Sequence, residues 1–271
     1  MLAVDFSQRN NNENKIWALA HSKIMLDIMI KENWQERTEL LIGKESIEKL
    51  KNAHVLVVGL GGVGAYAAES LCRAGIGEMT IVDGDSIHPS NKNRQLAALD
   101  STMGKPKAEI IANRLIDINP ELKLNIIQRY IKDDQMLEIL DKPFDYVVDA
   151  IDTLSPKVYL IYHCMQKGLK IVSSLGSGAR LDPANIRITD LSKSFNCKLG
   201  FILRKRLRKL GVHKGLKVVF SEVKANEEAV IVDEPGDNKK STVGTISYMP
   251  PIFGCMCASV VIRDIIDSTS S

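Results

Sequence analysis

His54-Val-Leu-Val-Val-Gly59-Leu-Gly61-Gly62-Val-Gly64 runs straight from an uninterrupted apolar segment into a cluster of glycines. A short apolar run that stops at glycine reads as a central strand of a parallel sheet, where both faces are covered. Helical periodicity over Val63 to Ala74 follows, so the glycines occupy a strand-to-helix turn. There they let backbone N–H groups approach phosphate oxygens, and the positive end of the helix dipole adds to the attraction. Asp83 closes the next apolar run, nineteen residues after Gly64, and is placed to bind ribose hydroxyls. Against the plainer reading of a tight turn alone, strand, helix and acid together point to a nucleotide. They leave NAD and ATP both open, since each presents a ribose and phosphates.

Outward from this turn the same alternation continues. Helix is expected at Pro106 to Ile118, 133 to 140 and Pro156 to Lys167, and strand at Lys123 to Gln128, Tyr146 to Ala150 and Leu169 to Ser173. Strict alternation indicates an α/β fold, a doubly wound, Rossmann-like parallel sheet with right-handed crossovers. Past Gly178 it gives way to antiparallel strands at Ile186 to Leu191, Lys217 to Glu222 and Thr245 to Tyr248, a polar loop at 225 to 241 and a basic helical insertion. We divide the chain into a disordered or added extension (1–14), N-terminal helices (15–50, with periodicity over 16–30 and at Glu45 to Leu50), a nucleotide-binding core (51–180) and a C-terminal continuation of the same domain (181–271).

Composition narrows the class. The 271 residues are 45% hydrophobic and 25% charged, which excludes disordered, collagen-like and disulfide-scaffold chains. Five cysteines without any C-x-x-C pair suit buried thiols in a reducing cytoplasm. Cys255-x-Cys257 reads as core before it reads as a metal or redox pair. The polar start offers no secretory signal. In the charge-free stretch Ser241 to Ile262, prolines and glycine leave only Ile252 to Ile262 as clean apolar sequence, too short for a membrane span, so no crossing is expected. The net charge of +3 hides a strong asymmetry: Leu191 to Ser221 carries nine Lys and Arg and no acid, leaving the remainder negative.

The charged residues decide between the nucleotides. Arg94 lies in the polar loop Asn91-Lys-Asn93-Arg94-Gln95, Lys107 at the head of a helix, and Asp152 two residues beyond a strand end. Attack at an α-phosphate builds negative charge there and on the departing pyrophosphate, which fixed cations stabilise. A carboxylate at the edge of the sheet suits Mg²⁺, which takes one or two protein carboxylates plus phosphate oxygens. Singly, each residue fits a solvated surface charge. Together they favour adenylyl transfer, whereas an NAD-dependent oxidoreductase leaves all three without a task and a non-catalytic nucleotide-binding module has no use for the full set.

Arg37-x6-Lys44, the four glycines, Asp83-x-Asp85, Asn91-x-x-Arg94-Gln95, Lys107, Ile118-Asn119-Pro120 and Asp149-Ala-Ile-Asp152 together resemble the adenylation domain of ubiquitin-activating-type enzymes, over about residues 35 to 180. The resemblance implies ATP as cosubstrate, with Asp83 on the ribose, Asp85, Asn91 and Gln95 shaping the pocket, and Arg94 and Lys107 on the phosphates. It further implies Mg²⁺ on Asp152 and a homodimer in which Arg37 reaches the other subunit's phosphates. Two zinc-binding C-x-x-C pairs, usual in sulfur-carrier activators, are absent, and there is no room for a catalytic-cysteine domain. Instead Arg204-Lys205-Arg206-Leu-Arg208-Lys209 rides on an apolar stripe of Leu199, Leu203, Leu207 and Leu210. With Arg73-Ala-Gly-Ile-Gly77, this makes the whole chain similar to the bacterial tRNA threonylcarbamoyladenosine dehydratase family. By that resemblance residues 181–271 face tRNA, the five cations of the basic helix bind its backbone, apart from the nucleotide pocket, and a sulfur-transfer protein is a candidate partner. A solvated basic face is the plainer reading of the helix, and adenylation of a ubiquitin-like sulfur carrier is the alternative function.

Overall fold

The computed structural model describes residues 34–131, 133–232 and 241–268. The expected extension at 1–14 and the helix at 16–30 lie outside them. Two units are distinguished, Met1–Gly43 and Lys44–Ser271. The described part of the first holds helix α1 (Glu36–Ile42), which ends where Gly43 takes a left-handed φ of 81°.

The second unit is built on one seven-stranded sheet. Its strands are β1 (His54–Val58), β2 (Glu78–Val82), β3 (Lys123–Ile127), β4 (Tyr146–Asp149), β5 (Ile171–Ser174), β6 (Ile186–Asp190) and β7 (Lys217–Ser221), in the spatial order β3-β2-β1-β4-β5-β7-β6. Between them run α2 (Lys44–Asn52), α3 (Gly64–Ala74), α4 (Lys107–Ile118), α5 (133–140), α6 (Leu154–Gln166) and α7 (Lys198–Lys209). Helix α8 (Met249–Ile266) completes the unit beside a small hairpin of β8 (Val230–Val232) and β9 (Ser241–Val243).

The inner strands β1, β2 and β4 are buried along nearly their whole length, which explains their continuous apolar sequence. The edge strand β3 is mostly exposed, and its Lys123 and Asn125 discourage further pairing. Sheet order reverses between β1 and β4: the chain builds β2 and β3 on one side of β1, then returns to lay β4 and β5 on the other. The crevice at the carboxyl ends of β1 and β4 is the switch point at which such sheets bind ligands.

Three sequence expectations change. Lys217–Ser221 pairs antiparallel with β6, as expected, but parallel with β5 on its other side, so within the seven-stranded sheet β6 alone runs against the rest. Thr245 to Tyr248 is irregular and turn rather than strand; the strand is β9, just before it, and β8 forms part of what reads as a polar loop. The apolar C-terminal segment is an 18-residue helix, longer than the sequence suggests, because Pro250 and Pro251 sit in its first turn, where their missing N–H groups disturb no bond. By length and hydropathy α8 passes for a membrane span, but half of that window is buried in the protein. It packs on α3 and β5, and Asp264 ties it to the sheet, accepting from Tyr146 Oη at 2.8 Å and from Lys217 Nζ at 2.6 Å.

Candidate active site

Gly59 leaves β1 at a φ of 89°, with its N–H on Val82 O at 2.8 Å, and a Cβ there would lie 2.8 Å from Ala150 O. A Cβ on Gly64 would fall 1.7 Å from Gly59 O, so the helix can start this close to the strand only from glycine. At Gly61, by contrast, the nearest atom is Gln95 Nε2 at 3.7 Å, so the middle of the loop is open. Gly62 lies under Arg94, whose carbonyl oxygen is 3.2 Å from the corresponding position. The sequence motif thus divides into glycines that fit the turn together and one that leaves space above it.

Asp83 holds the loop in place. Its Oδ2 accepts from Leu60 N at 2.6 Å and its Oδ1 from Asp85 N at 2.7 Å. Burial raises its carboxyl above the usual range, against the pull of those two N–H groups and of Lys107. Asp85 in turn accepts from Lys107 Nζ at 2.8 Å and from the Tyr130 hydroxyl. Burial pushes the Asp85 carboxyl up, but the bonds from Lys107 and Tyr130 outweigh it and hold the group below its ordinary value. The Lys107 side chain is only 6% exposed and its partner 44%, so the ammonium approaches the crevice from inside the protein.

Tyr130 shows what faces it. Its phenol is pushed up to about 12 by the hydrogen bond to Asp85 first, then by the charge of Asp85, burial and the charges of Asp83 and Asp152. One exposed hydroxyl thus bonds Asp85 and feels the charges of Asp83 and Asp152, from the ends of β2 and β4. Asp152 itself is exposed, as a residue waiting at the edge of a sheet should be.

The polar loop closes the other side. Asn91 is buried; its Oδ1 accepts from His88 N at 3.0 Å, and its carbonyl accepts from the N–H groups of Arg94 and Gln95. Arg94 donates to Ser90 O and Asn93 Oδ1 at 2.9 and 2.8 Å. Gln95 Oε1 is buried without a hydrogen-bond partner among the described residues, beside the open Gly61. An orphaned acceptor over a cradle with room above it fits a ligand that brings its own donor. No group of three or more His, Cys, Asp or Glu suited to a metal ion occurs among the described residues. Asp152 alone fits a metal that arrives on phosphate oxygens, not a cage made by the protein. Arg37 belongs to the first unit, where it is exposed.

Several participants have no role assigned by the sequence. Asp149 and Lys157 are both 0% exposed and form an ion pair at 2.8 Å. Asp149 also accepts from Ser173 Oγ at 2.7 Å and Ile151 N at 3.1 Å, while Lys157 Nζ donates to Ile151 O at 3.0 Å. This buried knot fixes the backbone immediately before Asp152. An acid ending an apolar strand and a lysine on the core side of the next helix were the available signal. Arg180, also buried, donates to the carbonyls of Val223, Gly176, Gly178 and Asn196, and ties the loops after β5 to the approach to α7. Cys72, Cys164, Cys197 and Cys257 are buried, and burial pushes the thiols of Cys72, Cys164 and Cys257 up to about 11, 12 and 12, where they are poor nucleophiles.

The basic helix is divided by its contacts. Leu203 and Leu207 are buried, but Leu210 is exposed and Leu199 only half-buried. Arg204 is spent inside the protein: its Nη1 donates to Ser194 O at 2.7 Å, to Leu191 O at 3.3 Å and to Ser194 Oγ. Arg206 donates to Ser155 Oγ at 3.2 Å. Lys205, Arg208 and Lys209 are exposed and have no ion pair with a described residue. The helix also lies nearer the nucleotide crevice than the sequence suggests, since Ser155 is three residues from Asp152.

Comparison with known proteins gives the chain its relatives. A Bacillus subtilis tRNA threonylcarbamoyladenosine dehydratase is 35% identical over 241 residues, 85% of this chain and 93% of that protein. The Escherichia coli molybdopterin-synthase adenylyltransferase is 35% identical over 135 residues, half of this chain and 53% of that one. The crystal structure of E. coli tRNA N6-threonylcarbamoyladenosine dehydratase in complex with ATP superposes with a TM-score of 0.79 at 33% identity, over 88% of this chain and 96% of that one. Residues 35–270 match the ThiF family, and the chain belongs to that family.

Proposed function

We propose that this chain is an ATP-dependent tRNA threonylcarbamoyladenosine dehydratase, which adenylates the carboxylate of the threonylcarbamoyl group and closes it into a ring. The carboxylate attacks the α-phosphate of ATP; one P–O bond forms, another breaks, and pyrophosphate leaves. A nitrogen of the same substituent then attacks the acyl carbon, loses its proton, and displaces AMP together with one carboxylate oxygen. The second step is intramolecular and gains from proximity. It needs no enzyme thiol, in keeping with the burial of Cys72, Cys164, Cys197 and Cys257; Cys255 is exposed, unlike the core position its sequence suggests.

Each side chain has a task in this reading. Gly59, Gly61, Gly62 and Gly64 admit the phosphates, Asp83 shapes the loop and meets the ribose, and Lys107 and Arg94 offset the charge that grows on the phosphates. Asp85 aims Lys107, and Asn91 positions Arg94 and Gln95 through the turn it organises. Mg²⁺, held by Asp152 and phosphate oxygens, supplies further charge neutralisation when bound. Two copies assemble with Arg37 of each serving the other's nucleotide.

The observation that carries the choice of RNA is the Arg206–Ser155 contact, which sets an acid-free basic helix beside the loop that bears Asp152. Such a surface suits a phosphate backbone. The test is release of pyrophosphate from ATP with tRNA carrying threonylcarbamoyladenosine, with the same tRNA lacking it, and with a ubiquitin-like protein ending in glycine. Release with the first alone is expected. Release with the protein alone would replace this reading by sulfur-carrier activation.

A further inference from the structure

Helix α7 turns one face to solvent along Lys198, Phe201, Lys205 and Arg208, residues spaced three, four and three apart and all exposed. Phe201 is 61% exposed in the middle of this stripe, turned away from the side that buries Gly200, Leu203 and Leu207. A phenyl ring on a helix whose apolar side is already packed elsewhere has no folding reason to stand among lysines. Acid is sparse around it: none occurs from Leu191 to Ser221, and α6, the helix packed against α7, carries no Asp or Glu.

We infer that Phe201 is a stacking platform for an unpaired RNA base, with Lys198, Lys205 and Arg208 straddling the backbone on either side of it. Aromatic rings among cations are how proteins hold single-stranded nucleic acid, because every base offers a π-face and every linkage a charge. The platform is fixed from beneath. Arg204 bonds the helix to the Leu191–Ser194 turn, and Phe195, next in the chain, packs edge-on against Phe220 with ring centroids 5.4 Å apart. Arg206 ties the same helix to Ser155 at the start of α6, on another face from the ring, so the platform is anchored on two sides. An acidic protein would find the charges, but a single strand brings a ring face together with a charge at every nucleotide, the pairing this stripe presents. This inference rests on the tRNA reading above and adds to it the requirement for an unpaired base.

The experiment measures binding of the full chain to the modified tRNA, to a single-stranded oligoribonucleotide and to a blunt RNA duplex, for wild type and for Phe201→Ala, Phe201→Leu and Phe201→Trp. Phe201→Ala and Phe201→Leu should weaken binding of the tRNA and the single strand by roughly 5- to 100-fold, the scale of one lost base–aromatic stack. Phe201→Trp should bind as wild type, and duplex affinity should not change. Because stacking releases no counterions, the alanine variant keeps the wild-type slope of log affinity against log salt, whereas Lys205→Ala lowers it by about 0.7 on the single strand. Unchanged melting temperature confirms that the exposed ring is not needed for folding. If wild type turns over the modified tRNA while Phe201→Ala binds both RNAs normally, the stacking site is refuted and the tRNA reading stands. If wild type neither binds nor turns over the tRNA, the functional reading itself has failed, and the platform falls with it.

Discussion

Replacing Lys157 by Met removes the cation from an ion pair that sees no solvent. Asp149 would then keep only Ser173 Oγ and Ile151 N, two neutral donors at 2.7 and 3.1 Å. Removing one partner of a buried pair costs about 3–5 kcal/mol, because the other charge stays behind without compensation. In a domain of this size about 2–4 °C accompanies each kcal/mol, so the melting temperature should fall by roughly 6–20 °C. The double variant Asp149→Asn, Lys157→Met buries no charge and should regain most of that loss. Activity should separate from stability: the Lys157 bond to Ile151 O at 3.0 Å is lost in both variants, so pyrophosphate release should stay low in the double variant even well below its melting temperature. Thermal unfolding followed by circular dichroism, with a turnover assay at low temperature, reads both effects. A single variant that melts within about 2 °C of wild type would show that the knot does not carry the energy assigned to it.

Other substitutions reach the remaining parts of the site. Lys107→Ala should slow tRNA-dependent pyrophosphate release by at least about a hundredfold, the scale of one fixed stabiliser of transition-state charge, and a normal rate would remove Lys107 from the phosphate site. Gly64→Ala should abolish folding or nucleotide binding, since its Cβ has no space, while Gly61→Ala should fold normally, and the reverse order would contradict the loop geometry. His54, packed on Phe144, is held below its ordinary value chiefly by burial, with Glu78 opposing. The stability contributed by its neutral ring is present above the unfolded value near 6.5 and lost as the pH falls through the lower folded value. Urea midpoints measured at pH 7.5 and about 5 should therefore drop more for wild type than for His54→Gln, and equal drops would assign the pH dependence to other groups.

The parallel core was legible because its cues are local. A buried strand needs an apolar run, and a strand-to-helix turn this tight needs glycine at 59 and 64. The C-terminal part was harder to read. Whether Lys217–Ser221 runs parallel or antiparallel to its neighbours depends on where the chain inserts it, which no short-range pattern encodes. Prolines that would end a helix in its middle are harmless in its first turn, and only the start of α8 at Met249 tells the two cases apart. Of the site residues, those with motif spacing stood out, while Tyr130 did not, because its value lies in its bond to Asp85, 45 residues away in the chain. The basic helix was visible as charge. Which cations remain free was not, since Arg204 and Arg206 are occupied by Ser194 and Ser155, partners that sequence spacing does not indicate.

Activation of a carboxylate at the α-phosphate can be followed directly in the oxygen atoms. Threonylcarbamoyl-tRNA with both carboxylate oxygens replaced by oxygen-18 would be turned over once with unlabelled ATP, and the AMP and pyrophosphate weighed by mass spectrometry. Adenylation predicts one heavy oxygen in AMP, one retained in the closed ring and none in pyrophosphate. Heavy oxygen in the pyrophosphate or in water, with AMP unlabelled, would contradict it.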